Sequence, residues 1–144
     1  MLQELPPELT RLSHEVISAA IAVHRALGPG YLESVYEEAL CVELAERGVP
    51  FARQAAFKVC YKGTVVGEGR MDVLVDNRLV LELKAVETTS ALHAAQLKSY
   101  LQATDRCLGL LINFNVPVLK DGLRRIILSK NLGALWPLLC ASAF

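Results

Sequence analysis

Leu79-Val80-Leu81-Glu82-Leu83-Lys84 is the stretch on which the fold turns. Residues 79–83 are apolar but for one acid, and Asp76-Asn77-Arg78 before them reads as a tight turn. A short apolar run behind a turn signal reads as a strand at the centre of a sheet. Alternation puts Glu82 and Lys84 on one face of it. Neither charge enters an apolar strand without a partner, because burying an unpaired charge is costly. Asp72 stands ten positions before Glu82, on the segment that leads into the turn. A hairpin at 76–78 returns it to the level of Glu82 and Lys84. Two carboxylates and an ammonium therefore converge. Oxygen donors of that kind suit a hard divalent cation, Mg²⁺ or Mn²⁺. Such an ion polarises a phosphate and activates water, while Lys84 steers that water or neutralises developing charge. The alternative is purely structural, with Lys84 pairing to Asp72 or Glu82.

On the N-terminal side, Leu9, Leu12, Val16, Ile17, Ala20 and Val23 recur at helical spacing behind Pro6-Pro7. Leu27-Gly28-Pro29-Gly30 ends that helix, and a second runs from about Leu32 to Arg47. Phe57, Val59 and Tyr61 alternate with polar neighbours and begin the strands. Lys62-Gly63 turns the chain into a strand from Val65 to Val75, with a bend expected at Gly67 and Gly69. After Lys84 a third helix spans about Ser90 to Ala103, capped by Thr89 or Ser90. Strands follow at Leu108–Phe114 and Arg124–Leu128, then a short C-terminal helix. Short turns make the first three strands an antiparallel meander. The third helix is long enough to return the next strand parallel to Leu79–Leu83. The expected class is α/β, a mixed sheet flanked by helices.

Two further groups of residues could carry chemistry. Glu33 opens the second helix, where the dipole favours a carboxylate, and Tyr36 and Glu37 share its face. The plain reading makes Glu33 a helix-start acid and Tyr36 core. His93, Gln96 and Tyr100 share a face of the third helix. They either line a site or form an ordinary solvated stripe.

The chain of 144 residues is expected to form one domain, with a core at about 14–128 and an apolar C-terminal extension at 131–144. That extension could bury against a second subunit, so a homodimer is open. Fifteen acidic and fifteen basic residues cancel, so no global basic field points to nucleic acid, although a local patch needs none. Candidates for such a patch are Lys58, Lys62, Arg70, Arg78, Lys98 and Arg106. Cys41, Cys60, Cys107 and Cys140 have no zinc-site spacing and read as reduced thiols. The N-terminus lacks a signal-peptide layout, and no apolar run reaches the ~18 residues of a membrane span. A cytoplasmic protein with no membrane association is expected.

The residues together resemble a known family. Gly30, Glu33 and Tyr36 match the signature of the GxxExxY proteins, a bacterial and archaeal group in the PD-(D/E)xK nuclease superfamily. The likeness runs from His24-Arg25-Ala26-Leu27-Gly28-Pro29-Gly30 and Glu33-Ser34-Val35-Tyr36-Glu37 through Gly67-Glu68, Arg70 and Asp72. It continues at Glu82-Leu83-Lys84-Ala85, Ala95-Gln96, Leu110-Leu111-Ile112-Asn113-Phe114 and Leu119-Lys120-Asp121-Gly122. Met71 stands where the superfamily name has proline, and Gly69 where an aromatic residue is expected.

This resemblance implies a restriction-endonuclease-like (PD-(D/E)xK) core. It implies that Asp72 and Glu82 ligate the metal, with Glu33 and the backbone carbonyl of Leu83 adding to the shell. Lys84 would be the catalytic lysine, and Gln96 matches a glutamine of superfamily nucleases that act on DNA ends or single strands. Tyr36, Arg70, His93 and Tyr100 are the expected substrate contacts. The expected activity is Mg²⁺- or Mn²⁺-dependent hydrolysis of phosphodiester bonds in DNA or RNA. The alternatives are a catalytically silent binding or assembly module and a metal-dependent hydrolase of a small phosphate ester. Fold alone does not choose among them.

Overall fold

A computed structural model describes residues 5–129. Helix α1 (Pro7–Leu27) opens with proline at its first position, where no N–H is needed. It ends at Gly28, whose φ of 69° suits glycine and whose N–H bonds the His24 carbonyl. Helix α2 (Glu33–Glu46) buries Tyr36, Leu40 and Leu44, one residue per turn. Strands β1 (Phe51–Tyr61), β2 (Thr64–Val75) and β3 (Leu79–Lys84) form the expected antiparallel meander. Helix α3 (Ala91–Ala103) then crosses over, so that β4 (Leu108–Asn113) pairs parallel to β3. A 3₁₀ turn at Leu119–Gly122 leads into β5 (Leu123–Ile127), antiparallel to β4. The sheet order is β1-β2-β3-β4-β5, which leaves β3 in the middle. No helix among the described residues is long and apolar enough to cross a membrane.

The central strands are buried on both faces. Leu79, Leu81 and Leu83 pack with Leu9, Val16, Val23, Leu40 and Leu44 under α1 and α2. Val80 and Leu111 pack with Leu97 and Leu101 under α3. A fully apolar strand is the expected form for such a position, and burying each Leu side chain contributes ~1.5–3 kcal/mol.

Strand β1 departs from its expected bounds: it starts at Phe51 and not at Phe57. The segment Ala52-Arg53-Gln54-Ala55-Ala56 has no apolar alternation to announce it. As an edge strand it needs only the backbone ladder to β2. The expected bend in β2 is met by a bulge in β2 itself: Val59 pairs with Gly67 and Cys60 with Val65, so Val66 is the extra residue in the ladder. Gly69, which lacks the expected aromatic side chain, lies opposite Phe57, whose ring covers it so closely that an added Cβ would fall 2.4 Å from the ring. The missing aromatic is thus supplied across the ladder. The remaining differences are one or two residues at element ends, including Ser90 as the α3 cap. The expected C-terminal helix, the extension at 131–144 and Cys140 lie outside the described residues. Cys41 and Cys60 are free thiols.

Gly122 shows a close approach that the sequence only marked as a motif. A Cβ there would lie 2.1 Å from the Asn113 carbonyl oxygen. The turn before β5 therefore rests directly on the end of β4. Gly122→Ala is expected to cost ~1–3 kcal/mol, because backbone must shift; urea unfolding of the two proteins measures it, and an unchanged midpoint would refute the contact's importance.

Candidate functional site

Strands β2 and β3 pair only from Val73–Val75 to Leu79–Leu81 and then separate. Asp72 and Glu82 stand at the parting, and their side chains replace the missing ladder. The Leu83 N–H donates to Asp72 Oδ2 at 2.8 Å, and the Asp72 N–H donates to Glu82 Oε1 at 3.3 Å. Each carboxylate thus satisfies a backbone donor of the opposite strand. Both groups are locked by the sheet itself, which fixes their orientation better than a loop could.

The same point inverts the outer sheet. Val73, Val75 and Phe51 pack under α1 and α2, whereas Met71, Ala55 and Phe57 pack under α3. Residues of one parity have changed faces within two positions. The β1–β2 ladder skips the Gln54–Asp72 pair, and Gln54 takes φ 49°, uncommon for a residue with a Cβ. Simple alternation could not have anticipated this reversal.

Tyr36 sets the position of Glu33. Its hydroxyl donates to the Gly28 carbonyl at 2.5 Å and accepts from the Tyr31 N–H at 3.2 Å, which pins the α1–α2 connection. The ring stacks on Phe114, 4.6 Å between centroids. Glu33 follows this pinned loop and lies within electrostatic reach of Asp72, Lys84 and Glu82. Tyr36 itself is fully buried, so the expected substrate contact is corrected to a structural pin. Its hydroxyl is committed to the loop.

Lys84, the last residue of β3, is half-buried. The chain beyond it is held by Asn113, whose side chain accepts from the Val86 N–H and donates to the Val86 carbonyl. The Phe114 N–H donates to the Lys84 carbonyl at 2.9 Å. His24 reaches from α1 to the Val116 carbonyl at 2.7 Å and ties α1 to the segment after β4. None of these supports was read from the sequence, because each joins residues far apart in the chain.

On α3, Gln96 donates to the Tyr100 hydroxyl at 3.0 Å, and that hydroxyl feels the charges of Glu82 and Asp72. His93 also caps the helix: its Nδ1 accepts from the Ser90 N–H and its own N–H donates to Ser90 Oγ. Arg70 is exposed on β2. Arg106 leaves the expected cationic patch, being fully buried with its guanidinium on the Asn77 carbonyl, the Asn77 side chain and the Thr104 carbonyl. Arg78 pairs with Asp76.

One residue of the site, Gln54, escaped the sequence reading, and Glu37 was read only as a neighbour of Glu33 on its helix face. Gln54 donates to Glu37 Oε1 at 2.8 Å, and it also faces the Asp72 carboxylate and favours its charged form. Glu37 pairs with Arg53 at 2.9 Å, and its charge in turn opposes that of Asp72.

The electrostatics follow from burial. Desolvation is the largest influence on Glu82, and the Asp72 charge adds to it; together they push the Glu82 carboxyl up to about 8, against the relief given by the Asp72 N–H and Lys84. Burial also raises Asp72 and Glu33 above the usual carboxylate range. Lys84 alone does not balance three acids. The donors are all oxygen, as a hard divalent cation requires. Among the described residues, however, no three His, Cys, Asp or Glu side chains converge closely enough to hold an ion by themselves. A cation here would rest on Asp72 and Glu82, with water or substrate completing its shell, which suits Mg²⁺.

Without a cation the raised Glu82 has a sign in stability. The folded protein holds its proton above the ordinary carboxylate value, so the Glu82 contribution is full in acid and lost as pH rises toward about 8. In chelator, Glu82→Gln is expected to unfold at a higher temperature than wild type at pH 9, with the gap closing toward pH 5. A gap that is constant with pH would show that Glu82 is not held in its protonated form.

Comparison with known proteins agrees with this architecture. The family model of the PD-(D/E)XK nuclease superfamily matches residues 10–126, from the first turns of α1 to β5. No curated protein matches the chain. With the match covering most of the sequence and every strand but the last residue of β5, the chain belongs to the PD-(D/E)XK nuclease superfamily.

Proposed function

We propose that this protein is a Mg²⁺- or Mn²⁺-dependent nuclease that hydrolyses phosphodiester bonds of DNA or RNA. One observation carries the reading: Asp72 and Glu82 cross-brace the parting of β2 and β3, and Lys84 lies on the Glu82 face of the same strand. The fold thereby holds buried acids together at a cost that a cation would offset.

Asp72 and Glu82 would hold the ion, with the Leu83 carbonyl as a further donor, and Glu33, too far to complete a three-carboxylate set, would act on it only through its charge or a water. Bound there, the cation supplies Lewis acidity toward a phosphate oxygen and a water. Lys84 orients the attacking water and neutralises charge that grows on the phosphate oxygens during in-line attack. Gln96, held on Tyr100, would orient the strand. Arg70, with Lys58, Lys62 and Lys98, supplies backbone phosphate contacts that depend on salt.

A second reading, a catalytically silent binding module, is favoured by one observation: the described side chains do not form a three-donor ion site. Two measurements separate them. Calorimetric titration of Mn²⁺, with a short oligonucleotide present, is expected to give saturable binding that Asp72→Asn abolishes. Lys84→Ala is expected to lower cleavage by roughly 10²-fold or more and to change stability by no more than about 1 kcal/mol. Strong destabilisation of Lys84→Ala with no metal binding in wild type would establish the silent module instead.

A further inference from the structure

The reversal of the sheet at Gln54 and Asp72 has a consequence beyond the carboxylates. Past it, the β1–β2 hairpin directs Ala55 and Phe57 toward α3 and no longer toward α2. Hairpin and helix enclose a cavity of about 560 Å³. That lies within the ~300–1,000 Å³ of small-ligand sites. Its aromatic wall is Phe57 and Tyr100, with ring centroids 4.8 Å apart and planes tilted by 59°. Ser99 and Gln102 line it from α3, and Lys58 from the hairpin.

One side chain, Tyr100, belongs both to the cavity wall and to the surroundings of the candidate active site. Tyr100 forms part of its wall, bonds Gln96 through its hydroxyl and lies within reach of the Glu82 and Asp72 charges. A strand with a phosphate at Asp72 and Glu82 therefore has this cavity beside its next nucleotide. The half-exposed Tyr100 ring, backed by the buried Phe57, offers a flat apolar partner to any base, while a hydroxyl and an amide can meet its polar edge. Lys58 at the rim suits the neighbouring phosphate, with Glu68 lining the cavity opposite it across the ladder.

We propose that the cavity between the β1–β2 hairpin and α3 is a base pocket, which takes the unpaired base of the nucleotide flanking the phosphodiester held at Asp72 and Glu82. The proposal rests on the nuclease reading above and names its substrate class. A base stacked and paired in a duplex cannot enter such a pocket without leaving the helix, at the expense of unstacking. The substrate is accordingly a single strand or a frayed or flapped end.

The test is an abasic scan with the full chain and Mn²⁺. A single abasic nucleotide is moved along a short single-stranded DNA, and cleavage is followed bond by bond. The rate at each bond is expected to fall by roughly 10- to 100-fold when the abasic nucleotide sits at one fixed offset from it. Ser99→Trp, which fills the cavity from an exposed helix position, should bring the same loss on intact DNA and none further on the abasic strand. Gln102→Ala, also exposed, gives a milder change at the same offset without new bulk. Cleavage with a flat scan, or equal cleavage of blunt duplex, would overturn the pocket and leave the nuclease reading standing. No cleavage of any strand by the wild-type protein would overturn both.

Discussion

Everything at the candidate site depends on the separation of β2 from β3 at Asp72. A sheet cannot leave buried backbone donors unpaired without cost. Here the Leu83 and Asp72 N–H groups are satisfied by the carboxylates of Asp72 and Glu82, each reaching across to the other strand. Structural and chemical requirements thus fall on the same two side chains. Removing either carboxylate opens the ladder as well as the site, so an amide that keeps an acceptor oxygen is the informative replacement.

That economy creates an electrostatic imbalance. Burial raises Glu82, Asp72 and Glu33 together, and among the described residues Lys84 is the cation whose charge opposes this at all three. Arg53 is already engaged by Glu37 and Glu38 on the outer side. A fold that needed only stability would be better served by apolar residues here, since ion clusters in low dielectric return little net stability. A bound cation would offset this imbalance, and that is the physical reason for preferring chemistry to architecture as the account of these acids.

The surrounding residues divide cleanly between support and access. Tyr36, Asn113, His24 and Arg106 are turned inward and spend their polar atoms on backbone groups of connecting segments. Gln96, Tyr100, Arg70 and the β1–β2 hairpin remain on the open side. Residue type alone did not separate the groups. A buried tyrosine with a satisfied hydroxyl and a half-exposed one beside a cavity look alike in a sequence.

Local information was enough for the elements and much of their order. The run Leu79–Leu83 announced a central strand, glycine and proline marked the helix ends, and turn lengths forced a meander followed by a parallel return. Spacing across a short hairpin brought Asp72 to Glu82 and Lys84, because that contact depends on one turn. Tertiary structure alone decided the rest. The start of β1 at Phe51, the reversal at Gln54, the burial of Tyr36 and Arg106, and the ring of Phe57 laid over Gly69 all depend on which elements face each other. Periodicity records which residues share a face, but not what the fold sets against it, and there the difference between a core, a pin and a pocket is made.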